Sequence, residues 1–194
     1  MMQTGSVRNT HLPSKRGFTL VELMVGLVIL AILLAIAVPS MREFIARKRV
    51  EGVASELATD LRYLKAQQVQ RGTAVSIQFR AAGATTCYTL ATIGGTGEQC
   101  DCTLAAGQIC GDPNALNPNI EIKTVVLPRS AGVEITSTPA SMDLTGLNGR
   151  PDTTLRVSIG SSVGGQVRVD TNLLASPTMC SVSGHESTIP RCSP

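Results

Sequence analysis

The stretch KRGFTLVELMVGLVILAILLAIAVPS, Lys15 to Ser40, contains a 21-residue run, Phe18 to Val38, that is almost wholly apolar around one carboxylate, Glu22. As a helix rising ~1.5 Å per residue the run spans about 32 Å, the thickness of a bilayer hydrocarbon core. Lys15 and Arg16 abut its N-terminal end. The positive-inside rule holds them in the cytoplasm and predicts an N-in, C-out single pass, with everything after Ser40 outside. Ala35-Ile36-Ala37 gives the A-x-A pattern of an ordinary signal peptide. The run is nonetheless longer than the ~7 to 15 residues of a signal h-region, and it carries an acid. An acid at the centre of a membrane helix costs ~2.5 to 3.5 kcal/mol, less near the end, so Glu22 calls for a purpose or a partner.

Gly17-Phe18-Thr19-Leu20-Val21-Glu22-Leu23, with a basic pair before it and Pro39 after the run, resembles the class III signal of type IV pilins and type II secretion pseudopilins. The resemblance implies cleavage by a prepilin peptidase at the Gly17–Phe18 bond, N-methylation of Phe18, and a role for Glu22 as the acid that guides assembly. Cleavage leaves an α-ammonium on Phe18 at the start of a membrane helix. A neighbouring subunit's Glu22 can neutralise it in a low-dielectric bundle, so each charge makes the other tolerable. Such a pair forms only between subunits in register. The implied partners are other pilins or pseudopilins, the prepilin peptidase and an inner-membrane assembly platform.

Ser40 to Arg71 reads as a continuing amphipathic helix. Val50, Val53, Ala54, Leu57, Leu61 and Leu64 recur at steps of three and four, while Arg47, Lys48, Arg49, Glu56, Asp60, Arg62 and Lys65 fall largely elsewhere. Pro39 removes one backbone bond and predicts a kink or a loosened turn. Gly72 ends the helix, and the period changes from helical to alternating: Val75, Ile77 and Phe79; Val133 and Ile135; Leu155, Val157 and Ile159; Val167 and Val169. Cys87 to Leu90, Ile120 to Leu127 and Met142 to Leu144 are further expected strands. Breaks at 94–97, 113–118, 146–151 and 160–165 supply turns. The stretch RVEGVASELATDLRYLKAQQVQRGTAVSIQF, Arg49 to Phe79, is similar to the GspH/FimT branch, the H-type pseudopilins and T-type minor pilins.

The expected fold is therefore α+β: a long N-terminal helix, membrane-spanning in its first half, with a mostly antiparallel β domain packed on its second. The expected divisions are a cleaved leader 1–17, an assembly helix 18–38, an amphipathic helix 39–72 and a β-rich head 73–194. A single sheet is expected to cover the helix stripe.

Charge and cysteines bound the function. The net charge of +3 belongs to the leader, where Arg8, Lys15 and Arg16 face no acid; the remaining 14 basic and 14 acidic side chains balance. Nothing there demands a polyanionic partner. All six cysteines, Cys87, Cys100, Cys102, Cys110, Cys180 and Cys192, follow the apolar run, and an even count in an exported domain reads as disulfides. A zinc knuckle at Cys100-Asp101-Cys102 with Cys110 lacks a nearby His at a familiar spacing, so no metal and no cofactor is expected. Cys180 is expected to pair with Cys192, because closing so short a loop is easy, and to present His185, Glu186 and Arg191; the pairing of the other four stays open.

No enzyme is expected. His185, Ser183, Ser187 and Asp170 form no nucleophile motif, Asp143 and Asp152 show no paired spacing, and GGTGEQC at 94–100 lacks the Lys-Ser/Thr of a phosphate loop. The rival to a structural subunit is a DNA receptor. Some T-type minor pilins bind DNA and carry Gly-Arg-x-Arg just before a C-terminal Cys. Here NLLASPTMC, Asn172 to Cys180, has neither arginine, which removes the main phosphate contacts and leaves Arg150, Arg156, Arg168 and Arg191 as scattered cations. Pilus and secretion fibre are not distinguished by these residues.

Overall fold

The computed structural model describes residues 17–83, 85–95, 99–105, 107–111, 116–145, 150–183 and 189–193, apart from the side chains of Pro39 and Arg129. Helix α1, Leu20–Arg71, is 52 residues long and continues through Pro39. The chain divides between Ser40 and Met41 into two compact units.

In the first unit every described side chain from Phe18 to Val38 is exposed. No side chain of this stretch is supported by a core of its own. An 18-residue window here has a mean hydropathy of 2.9 and is long and apolar enough to cross a membrane.

The second unit owes its core to the other half of α1. Val50, Ala54, Leu57, Ala58, Leu61 and Leu64 lie on one face and are all but fully buried. Burying one such leucine stabilises the fold by about 1.5 to 3 kcal/mol. The helix stops at Arg71, where the helical pattern ends. Gly72 takes φ +66° and donates its N–H to the Gln68 carbonyl at 2.9 Å, a left-handed cap that glycine adopts without a Cβ penalty.

Nine strands follow among the described residues: β1 Val75–Ala82, β2 Thr85–Thr92, β3 Glu121–Pro128, β4 Glu134–Thr138, β5 Ser141–Thr145, β6 Arg150–Pro151, β7 Arg156–Ser161, β8 Gly165–Thr171 and β9 Pro177–Ser183. They form two sheets rather than the expected one, in the orders β3-β2-β1-β5-β6 and β4-β7-β8-β9. All the pairings are antiparallel. Among these strands the chain changes sheet three times, after β3, β4 and β6, and the change after β4 falls at Pro139 and Ala140. Proline has no N–H to extend the β4 ladder, and the Ala140 carbonyl already accepts from Phe79 of the first sheet at 2.8 Å.

One apolar cluster joins helix and both sheets: Leu57 and Leu61 meet Ile77, Leu90 and Leu144 of the first sheet and Val157, Ile159 and Val169 of the second. Rings are scarce, and Phe79 and Tyr88 stand together with centroids 5.7 Å apart. A satellite cluster of Ala91, Cys100, Ile109 and Cys110 sits under the loop between β2 and β3.

Candidate functional site

The start of α1 is built by Thr19. Its hydroxyl accepts the Glu22 N–H at 3.2 Å, and its carbonyl accepts the Leu23 N–H at 3.2 Å. Thr19 is thus the N-cap and Glu22 the third helical residue, the Thr-x-x-Glu arrangement of a capping box. An acid there also faces the positive end of the helix dipole. Among the described residues no cation pairs with the Glu22 carboxylate. Phe18 is 82% exposed. The bond between Gly17 and Phe18 precedes the helix, and a Cβ built on Gly17 meets nothing within 4 Å. This geometry offers an open peptide bond, an apolar first residue and a capped acid one turn in.

The head carries a buried polar strut. Asp60 is 6% exposed, not on the solvated face where the helical pattern puts it. Tyr88 donates to its Oδ2 at 2.8 Å, and Lys123 donates to Oδ1 at 2.9 Å and Oδ2 at 2.8 Å. Lys123 also reaches Glu56 at 2.9 Å. Burial, then the bond to Asp60 and the charges of Asp60 and Glu56, push the Tyr88 hydroxyl far above its ordinary pKa. Burial works against the Lys123 ammonium, but its bonds to Asp60 and Glu56 outweigh that and raise its pKa. The strut ties α1 to β2 and β3 with each donor engaged. It is a brace, not a reactive centre.

Three disulfides join Cys87 to Cys102, Cys100 to Cys110 and Cys180 to Cys192, with sequence separations of 15, 10 and 12. The first two cross within the loop after β2 and hold it to the first sheet. The third ties the tail to β9. There Pro190 accepts the Ser181 N–H at 2.7 Å, and Ser181 accepts the Cys192 N–H at 3.0 Å. Arg191 lies exposed on this tail, while His185 and Glu186 lie outside the described residues. No group of three or more His, Cys, Asp or Glu able to hold a metal occurs among the described residues.

The stretch NLLASPTMC is a tight turn leading into β9. Asn172 Oδ1 accepts the Leu174 and Ser176 N–H groups at 2.9 and 3.0 Å, and Ala175 takes φ +53°. Two of the four arginines considered for phosphate contact share one carboxylate: Arg156 and Arg168 donate to Asp170 at 3.2 and 2.9 Å.

Residues 12–38 match the prokaryotic N-terminal methylation motif. The chain is 40% identical over 113 residues to the type IV major fimbrial protein FimA of Dichelobacter nodosus strain VCS1703A, covering 55% of this chain and 66% of the relative. It is 35% identical over 113 residues to a fimbrial protein of the same species, with the same coverage. The chain thus spans 66% of the length of these curated relatives. Among solved structures it is similar to the type IV minor pilin FimU of Pseudomonas aeruginosa, with a TM-score of 0.46 and 19% identity over 76% of this chain and 96% of that one. With the methylation motif set directly on a bare apolar helix, and fimbrial proteins as its relatives, the chain is a type IV pilin-like protein.

Proposed function

We propose that this chain is a noncatalytic minor pilin or pseudopilin that acts in priming or tip assembly of a type IV pilus or type II secretion fibre. Prepilin peptidase removes residues 1–17, Phe18 becomes the methylated N-terminus, and residues 18–38 hold the protein in the inner membrane with the head outside. An assembly platform then draws the helix among those of other pilins, where Glu22 meets a neighbour's Phe18 ammonium. The observation that carries this reading is the first half of α1, apolar on every face and bare in the monomer, with one capped acid in its first turn. A helix apolar all round needs lipid or other helices around it. The minor rather than major role rests on the likeness of Arg49 to Phe79 to the GspH/FimT branch.

Mass spectrometry of the mature N-terminus tests the processing; the expected species begins at N-methylated Phe18, and a chain beginning near Val38 overturns the reading. Glu22→Gln separates the two jobs that Glu22 can hold. Glutamine keeps a capping box but has no charge. The variant is expected to accumulate in the membrane while its recovery in sheared fibres or the priming complex drops at least about tenfold, the loss of a buried ion pair's partner. Normal incorporation of Glu22→Gln would reduce Glu22 to a helix cap.

A further inference from the structure

The first turns of the head hold four cations, and the structure sorts them into two kinds. Arg47 pairs with Glu43 at 2.6 Å and Lys48 with Glu51 at 2.7 Å. Arg42 and Arg49 have no carboxylate partner among the described residues, and Arg49 gives one N–H to the Ala131 carbonyl at 3.2 Å. These two stand seven residues apart, which is two helical turns, and so share a face. Both line one pocket of about 330 Å³ with Ile45, Ser161, Ser162 and Val163.

The far wall of that pocket is the turn between β7 and β8, and it is pressed hard against the helix. A Cβ on Gly164 would stand 2.6 Å from the Ala46 carbonyl carbon, so only glycine permits this approach. The lining therefore brings two arginines and two serines together, beside the apolar Ile45 and Val163, which are 44% and 62% exposed. Glu134 lines the neighbouring groove, not this one.

Position along the chain says what reaches it. Arg42 follows Val38 by four residues, so at a reach of at most ~3.6 Å per residue it stays within about 14 Å of the end of the apolar run in any conformation. The headgroup layer of a bilayer whose core ends at Val38, roughly 5 to 8 Å deep on each side, falls inside that reach. Paired guanidinium forks and hydroxyls recognise a phosphodiester, and the apolar pair suits the glycerol and acyl chain below it. On the membrane anchoring proposed above, we infer that the Arg42–Arg49 pocket binds the phosphodiester headgroup of an anionic phospholipid at the membrane surface. The bound lipid holds the head against the bilayer until the subunit is withdrawn.

Native mass spectrometry of the full chain in detergent, titrated with phosphatidylglycerol, phosphatidylcholine or inorganic phosphate, tests this. Phosphatidylglycerol is expected to give a saturable one-to-one adduct that survives activation, with phosphatidylcholine weaker. Arg42→Gln with Arg49→Gln should lower its retention about tenfold or more, given what two cations contribute beside anionic lipid. Arg62→Gln with Arg71→Gln removes the same charge from exposed sites elsewhere on α1 and should leave retention unchanged. Equal loss in both double variants, or none in the pocket variant, overturns the site. Phosphate that displaces the lipid at equal concentration makes it a free-anion site and overturns the lipid as occupant. Membrane fractionation of the same cells keeps the anchoring separate: a chain found outside the membrane fraction defeats that reading, while a membrane-bound chain without the adduct defeats only this one.

Discussion

The two halves of α1 have the same backbone and opposite surroundings. Phe18 to Val38 is exposed throughout, whereas Val50 to Leu64 buries one stripe against two sheets. The second half shows the usual logic of a surface helix: apolar residues at steps of three and four, charges on the rest. The first half has no stripe because it has no single face to bury. Helical conformation alone says little about what stabilises a segment. The distribution of apolar residues around the axis says whether the chain supplies the contacts itself or takes them from other molecules.

The sharpest test of that contrast pairs one substitution from each half. In the full chain in detergent, Leu61→Ala should destabilise the head by ~2 to 5 kcal/mol, since Leu61 is 1% exposed and its removal leaves a cavity. Leu30→Ala, from a position 51% exposed, should leave the melt of the head where it was. Equal costs, read by near-ultraviolet circular dichroism, would break the comparison.

Tyr88→Phe sharpens it by removing one polar tie and keeping the ring. The phenol's bond to the buried Asp60 carboxylate is lost while Lys123 remains, so a cost of about 1.5 to 3 kcal/mol is expected in the same melt. No change would mean that packing alone seats the helix on the first sheet.

The smallest effect is a dependence on alkaline pH. Tyr88 holds its proton in the fold well above the ~10 of an unfolded tyrosine, so above that pH the unfolded chain binds fewer protons and stability falls. Lys123, its pKa also raised, contributes stability that is complete below its unfolded value and is lost as pH climbs through the folded one. Both signs agree. The thermal midpoint of the head should drop by a few degrees between about pH 9 and 11, and Tyr88→Phe should flatten the curve. A drop of the same size in the variant would assign the effect to other groups.

What the residue order disclosed, and what it did not, follows the range of the interactions. Alternation at Val75, Ile77 and Phe79 and the stop at Gly72 are local, and they mark β1 and the helix end within a residue or so. The division into two sheets is not local. Alternation tells which side chains share a face, not which strand lies alongside, and Pro139 marks just one of the three passages between the sheets. Strand β9 escaped notice because PTMCSVS has few apolar residues and those do not alternate cleanly. Asp60 looked solvated because its partners Tyr88 and Lys123 stand 28 and 63 residues away. The Thr19 cap was within reach: Thr-x-x-Glu before an apolar run is a helix-start signature, overshadowed by the oddity of an acid in that run. For the four cysteines from Cys87 to Cys110, spacing permits three pairings and selects none.

The tail beyond β9 has a consequence for solubility. In the second sheet β9 is an outer strand, and such a strand offers its unpaired N–H and C=O groups to any extended chain that passes. Ser181 instead gives its N–H to Pro190 and takes one from Cys192, and the bond between Cys180 and Cys192 keeps that segment in place. The chain thus occupies part of its own open margin. A subunit proposed to stack by its helix gains from a head whose margin is already taken: copies crowded along one axis are kept from joining sideways, strand to strand. Reduction of Cys180–Cys192 would free the tail and expose the margin, and the first sign would be clumping of heads rather than loss of the fold.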